Sequence, residues 1–450
     1  MEERAVRSEP RSEDPFPPPP GGWEALRRVQ GLFLAFVNAA LIITLVAGTG
    51  LGAMLLGHRM AGKGFDLALA EVHAHSQLFG FVTMMVLGVS VFALPRFTKV
   101  NYQSMTLLWG IFWGMLVGVV LRVVGQPMVP APGRAGELMV WLSAWLELFA
   151  LGGFVYLISR LSPRTGKLSI AEVFNIFAYL YLLAAAVVNL FSVAGIVVLG
   201  NESGFALAPH RLERAIFFLM LWGFGLAIVV GVGGRMLPPL IRVSPNLPLL
   251  RIAFFFHLVG VVMSAAWEGR AYLIGAGFIF IASLMVSLGL GVWQRGEGVR
   301  EVPGSHPIFP LYIRAAFVWL VVAALLNLLA SFGEPGQGVL GTHNFMSGMW
   351  HALGIGFILT MIAGMGARIL PAFAGRRFGY WGWMVAVFWL IQIGVVLRVA
   401  GEVMTPLTPR GSLLAGISGV LHLVAVLIWI LLLWLAFVRG RRLAEAVGRS

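Results

Sequence analysis

Two imidazoles stand two residues apart in His73-Ala-His-Ser-Gln-Leu-Phe-Gly-Phe81, ahead of an apolar segment that runs to Leu94-Pro-Arg-Phe97. The chain has nine histidines and no cysteine. Disulfides, thiolate-held iron–sulfur clusters, thiolate haem ligation and C-x-x-C-H haem attachment are therefore excluded, and any transition metal must be held mainly by imidazole. His351 opens a second apolar segment of the same kind, with His343 eight residues before it. Eight residues of helix span about 12 Å, so His343 and His351 cannot share one metal. His73 and His75 differ by about 200° of helix rotation and face different ways.

These side chains belong to a membrane protein. Of 450 residues, 59% are hydrophobic and 11% charged, and the mean hydropathy is +0.89, values far from those of soluble domains. The net charge of +13 collects in short loops between apolar runs. That pattern signals topology and a lipid bilayer as partner, with no nucleic acid. Residues 1–22, rich in proline and mixed charge, read as a disordered tail. Residues 23–440 read as one membrane domain, followed by a basic cytoplasmic tail, 441–450.

Twelve spans are expected, each long enough to cross a ~30 Å hydrocarbon core. They fall at roughly 29–57, 73–95, 104–126, 137–160, 170–200, 211–238, 250–268, 270–294, 310–332, 343–371, 380–402 and 411–438. The basic residues gather on one side. They are Arg27 and Arg28, Arg96 and Lys99, Arg160, Arg164 and Lys167, Arg242 and Arg251, Arg295 and Arg300, Arg376 and Arg377, and Arg439-Gly-Arg-Arg442. Both termini are accordingly expected to be cytoplasmic, and the even-numbered helices to start at the outer face.

The chain repeats itself. Gly88-Val-Ser-Val-Phe-Ala-Leu-Pro-Arg-Phe97 recurs as Gly231-Val-Gly-Gly-Arg-Met-Leu-Pro-Pro-Leu240 and as Gly364-Met-Gly-Ala-Arg-Ile-Leu-Pro-Ala-Phe373. Gly118-Val-Val-Leu-Arg-Val-Val-Gly125 lies 276 residues before Gly394-Val-Val-Leu-Arg-Val-Ala-Gly401, without a gap. The fold expected is all-α: twelve transmembrane helices as three four-helix repeats, about 29–160, 170–294 and 310–438, around a pseudo-threefold axis normal to the membrane.

The repeat turns scattered histidines into a geometry. His75 coincides with His351, while the middle unit carries Phe218 at that place. Like positions on the second and tenth helices can approach one plane from both sides, as a bis-histidine haem b requires. His75 and His351 are the expected axial ligands. His73 would serve a second metal or the outer loop. His343, His210 and His257 are candidates for a second site, where neutral imidazoles suit copper or a non-haem metal. Arg122 and Arg398 are matched by the repeat and lie deep in their helices. Each needs a partner: a haem propionate, the nearby polar residues Gln126 and Glu402, or lipid phosphate reached by snorkelling. His422 falls beside the place matching Glu147, which suggests a buried polar interaction. Arg235 and Arg368 fit helix ends, and His58 and His306 fit solvated loops. The glycines of the inner segments suit close helix packing or a flat ring.

In these residues the chain resembles the NnrS family. The likeness rests on His73 to Phe81, Gly233-Gly-Arg-Met-Leu-Pro238, His351-Ala-Leu-Gly-Ile-Gly-Phe-Ile-Leu-Thr-Met361, Ala367-Arg-Ile-Leu370 and Gly375-Arg376. The resemblance implies a twelve-helix protein of the bacterial inner membrane that carries haem and copper. It also implies a link to nitric-oxide metabolism, by binding the gas or by passing electrons from a donor. The architecture is also similar to subunit I of the haem–copper oxidases and nitric-oxide reductases, where a haem is held from the second and tenth helices. Their adjacent histidine pair on the seventh helix is missing, which argues against a full oxygen-reducing centre. A reductase and a repeat-built transporter are the alternative functions.

Overall fold

A computed structural model describes residues 22–63, 66–98, 100–161, 168–294, 306–333, 340 and 342–440, without the side chains of 22–27. The expected tail up to residue 21, Lys99, Arg164, Lys167, Arg295, Arg300 and the basic tail from 441 lie outside the described residues. The described elements are all helices. Among them twelve are long and apolar enough to cross a membrane: α1 Arg28–Met60, α2 Leu67–Thr98, α3 Met105–Met128, α4 Ala135–Leu161, α5 Ile170–Ser203, α6 His210–Ile241, α7 Leu247–Ala266, α8 Arg270–Gly289, α9 Ile308–Ala330, α10 His343–Phe373, α11 Trp381–Met404 and α12 Arg410–Arg439. The chain is that of a multi-pass membrane protein. The end of the bundle where α1 passes to α2 is called upper below.

Two helix ends depart from the sequence reading. α2 starts at Leu67, six residues early, because Asp66 caps it by accepting the Leu69 N–H and Leu67-Ala-Leu-Ala70 are strong helix formers. His73 and His75 therefore lie inside the helix and not at its mouth. α8 stops at Gly289, where a turn with Gly291 at φ +70° replaces the expected last turn.

Three helices form the interior. The most apolar stretch of α2, α6 and α10 is 83, 67 and 72% buried, against 39–50% for the other nine. Each inner helix docks on the helix before it through two glycines eight residues apart. A Cβ at Gly80 or Gly88 would strike Ile43 or Phe36 of α1, and one at Gly223 or Gly231 would strike Tyr181 or Asn175 of α5. At Gly356 or Gly364 it would strike Trp319 or Tyr312 of α9. Large side chains thus fill the missing Cβ positions, and backbones approach closely without a hydrophobic drive from water. Around this core, α3 pairs with α4, α7 with α8 and α11 with α12, while α4 packs on α5, α8 on α9 and α12 on the upper half of α1.

Each inner helix also opens into wide π-helical turns, at Ser76–Thr83, Phe218–Gly225 and Ala352–Leu359. α1 does so at Thr44–Gly50, where Gly48 leaves helical geometry altogether (φ −86°, ψ −105°). Such turns often mark functional sites, and here they begin next to His75 and His351.

The docking predicts a contrast along α10. A Cβ at Gly364 would lie 2.5 Å from Tyr312 Cβ, whereas Gly354 has open space. Gly364→Val should lower stability by about 1–3 kcal/mol through overpacking. Gly354→Ala should be neutral or slightly stabilising. Detergent-solubilised protein titrated with a denaturing detergent measures both.

Candidate functional site: two polar clusters in the upper half

The first cluster surrounds Glu147 of α4, which is fully buried. Its side chain fills a notch at Gly118 of α3, where a Cβ would come within 2.8 Å of Glu147 Cγ. Three helices satisfy the carboxylate. His75 Nε2 of α2 donates to Oε1 at 2.8 Å, Asn189 Nδ2 of α5 donates to Oε2 at 3.1 Å, and Ser143 Oγ donates from one turn back at 3.4 Å. The His75 ring stacks on Phe79 with centroids 4.7 Å apart. One turn above the notch, Arg122 Nε donates to Gln126 Oε1 at 2.8 Å. Gln126 Nε2 in turn donates to Glu71 Oε2 and to the Ala206 carbonyl, each at 2.8 Å. Glu71 also accepts the Ala208 N–H at 2.9 Å. Arg122 lies in the field of both Glu71 and Glu147.

The second cluster surrounds His351 of α10. Its Nδ1 donates to the Ser347 carbonyl at 2.7 Å, and its Nε2 accepts from Arg398 Nη2 of α11 at 3.0 Å. A carbonyl cannot donate and a guanidinium cannot accept, so the partners fix a neutral ring with the lone pair on Nε2. Arg398 Nη2 also meets Glu402 Oε1 at 3.2 Å. Arg59 Nη1 of α1 meets Glu402 Oε2 at 3.3 Å, and Arg59 Nη2 donates to Asn344 Oδ1 at 2.9 Å. His73 belongs here rather than with His75. Its Nδ1 donates to the Gly48 carbonyl at the break in α1, at 2.9 Å, and it lies within electrostatic reach of Arg398 and His351. His422 of α12 fills the notch at Gly394, where a Cβ would be 2.5 Å from its Nε2. It is bonded to the Ile391 carbonyl, and its Nε2 has no partner among the described residues.

Gly118 and Gly394 hold equivalent notches, one occupied by a carboxylate and the other by an imidazole. His75 and His351 occupy equivalent places in sequence yet turn to different partners in two separate clusters. The middle helices carry neither: Phe218 packs edge-on against Tyr272 and Trp350. His257 is buried in α7 and donates from Nε2 to the Trp222 carbonyl at 2.7 Å. His210 and His343 are exposed first residues of their helices, within electrostatic reach of each other. Among the described residues no three histidine, aspartate or glutamate side chains converge on a point that would hold a metal ion. His58 is exposed but lies in the last turn of α1 rather than in a loop, while His306 is half-buried and stacks parallel to Trp381. Arg235 pairs with Glu172 at 2.7 Å, at the lower end.

The family described as NnrS protein matches residues 31–441, nearly the whole chain. The chain belongs to the NnrS family. No curated protein matches it. Haem and copper are implied by that resemblance, and the NnrS chain's own donors decide whether they fit. His351 and His73 each anchor Nδ1 on a main-chain carbonyl, the orientation of a metal-binding histidine, with Nε2 of His351 taken here by Arg398. His75 commits its Nε2 to Glu147. Buried N–H groups of Arg122 (Nη1) and Arg398 (Nε, Nη1) have no acceptor among the described residues, and a carboxylate would satisfy them.

Sequence reasoning missed Glu71, Arg59, Asn344 and Ser347. Glu71 and Ser347 stand 276 residues apart, so the repeat contained a signal for that pair. Arg59 had none, because its partners arrive from α10 and α11.

Glu147→Ala would leave His75 and Asn189 without their acceptor in an apolar interior. It should cost about 3–5 kcal/mol, the usual loss on breaking a buried pair. Glu202→Ala, at an exposed position, should cost nothing measurable. Parallel unfolding curves of the two variants give the comparison.

Proposed function

We propose that this NnrS-family protein binds haem b, or an imidazole-held copper or non-haem metal, in the outer half of a bacterial inner membrane, with both termini cytoplasmic. We propose that it serves nitric-oxide metabolism, binding the gas or another diatomic or passing electrons from a donor. The observation that carries this reading is the pair His351 and His73. Two neutral imidazoles in one cluster have Nδ1 tied to backbone, which directs Nε2 toward a metal once the Arg398 contact on His351 Nε2 is exchanged. Ring-nitrogen placement favours His73 over His75 as the partner of His351, since His75 is held by Glu147.

Such a group, when bound, supplies one-electron chemistry and a coordination position for a gas. The chain's own residues fix the rest. Ser347 and Gly48 set the tautomers, and Arg398 occupies the Nε2 lone pair of His351 until a ligand competes for it. The buried helices α2 and α10 keep water away.

The three-unit architecture belongs to the same proposal. Four helices used three times around an approximate threefold axis accounts for several recurrences. These are the glycine pairs at Gly80/Gly88, Gly223/Gly231 and Gly356/Gly364, the three wide-turn segments, and the matched notches at Gly118 and Gly394. A second reading, transport, draws on the break of α1 at Gly48 and the buried carboxylates Glu147 and Glu402. Metal-free protein that moved protons or solute across vesicles would favour it.

The optical spectrum and metal content of purified protein test the main reading. A Soret band or stoichiometric copper is expected. His351→Ala should abolish it, His73→Ala should weaken or shift it, and His75→Ala should leave it largely intact. A preparation without haem or metal, or a band that survives loss of both His351 and His73, would overturn the assignment.

A further inference from the structure

The two arginines equated by the repeat are not placed alike. Arg122 lies in the field of two carboxylates, Glu71 and Glu147, with Gln126 on its Nε. Arg398 is 8% exposed and meets one carboxylate, Glu402, which also takes Arg59. Its remaining surroundings are imidazoles: His351 on its Nη2, with His73 and His422 in electrostatic reach. His351 is neutral, because it accepts from the guanidinium. The N–H groups on Arg398 Nε and Nη1 are buried and have no acceptor among the described residues.

A buried guanidinium needs acceptors for its N–H groups and a counter-charge. One shared carboxylate supplies part of both. The rings beside it supply no counter-charge, and the imidazole lone pair in contact, on His351 Nε2, serves Nη2 and leaves Nε and Nη1 unmet. An anion with two or more oxygens would satisfy the unmet N–H groups and the charge together.

We propose that Arg398 is the anchor of an anion site for a small planar monovalent oxyanion, a carboxylate or an inorganic ion of nitrite's shape. The carboxylate could be a propionate of a haem bound alongside, or the ion could be free in solution. The proposal rests on the placement of Arg398 and not on the metal reading.

Calorimetric titration with sodium formate and with sodium nitrite, at constant ionic strength in chloride-free buffer, tests it. Full-length protein purified from haem-deficient cells is expected to bind one anion per chain saturably. Arg398→Gln should weaken binding at least tenfold. Arg235→Gln removes the same charge at the lower end and should leave binding intact. Glu402→Gln should tighten it about tenfold by removing the competing carboxylate, a gain that a poorly folded variant could not mimic. Repeating the titration on haem-loaded protein separates the sources. A free-anion site binds in both preparations, whereas a propionate site binds only in the haem-free one and is blocked by added haem. Absent or unsaturable binding to the haem-free wild type would overturn the proposal, as would binding that Arg398→Gln leaves unchanged. If the protein takes up no haem, the first titration alone decides this site, and metal content decides the metal reading separately.

Discussion

A charged side chain placed among apolar helices keeps its charge only if other side chains replace the water it has lost. That requirement organises the upper half of this bundle. Glu147 cannot be satisfied from its own helix alone, so α2, α4 and α5 each bring a donor while α3 withdraws its Cβ at Gly118. Glu402 draws on α1 and its own α11, and Arg59 carries the connection on to Asn344 of α10. The polar clusters therefore act as junctions. Each fixes the relative height and rotation of three or four helices, which apolar contacts alone would leave free to slide.

The apolar part of the fold provides the distance over which such junctions can work. Three buried helices sit on their predecessors through glycine pairs filled by Ile43 and Phe36, by Tyr181 and Asn175, and by Trp319 and Tyr312. Close backbone approach brings side chains of modest length, such as histidine and asparagine, within hydrogen-bond range across helix boundaries. The wide turns that follow His75 and Phe217 and open α10 beyond His351 then set which direction each ring faces.

Much of this was legible in the sequence, and the part that was not has a physical cause. Hydropathy alone placed all twelve helices, since twenty apolar residues have few other fates. The spacing of 276 residues picked out His75 with His351 and Arg122 with Arg398. Equal positions did not mean equal partners, however. A carboxylate fills the Gly118 notch and an imidazole fills the Gly394 notch, and that one exchange sends His75 to a carboxylate and leaves His351 to a carbonyl and a guanidinium. From the sequence, His73 goes to a second metal or the outer loop because it points away from His75. Pointing away is what carries it to the break in α1 and toward His351. A repeat fixes where a residue stands, while its bonding depends on what the neighbouring helices happen to present.

The contacts of α1 bear on how the molecule is made. Arg59 reaches Glu402, and Gln30 reaches the Phe373 carbonyl, each across 343 residues of chain, while Asn38 accepts from Trp434 across 396. At a synthesis rate of about 5–20 residues per second, roughly 20–70 s separate the emergence of Arg59 from that of Glu402. α1 meets its docking partner α2 early, but the part of its surface that faces α10, α11 and α12 waits for helices made much later. Until α10 to α12 follow it, the seam between α1 and those helices stays open to lipid, so its polar contacts close late in biogenesis rather than early.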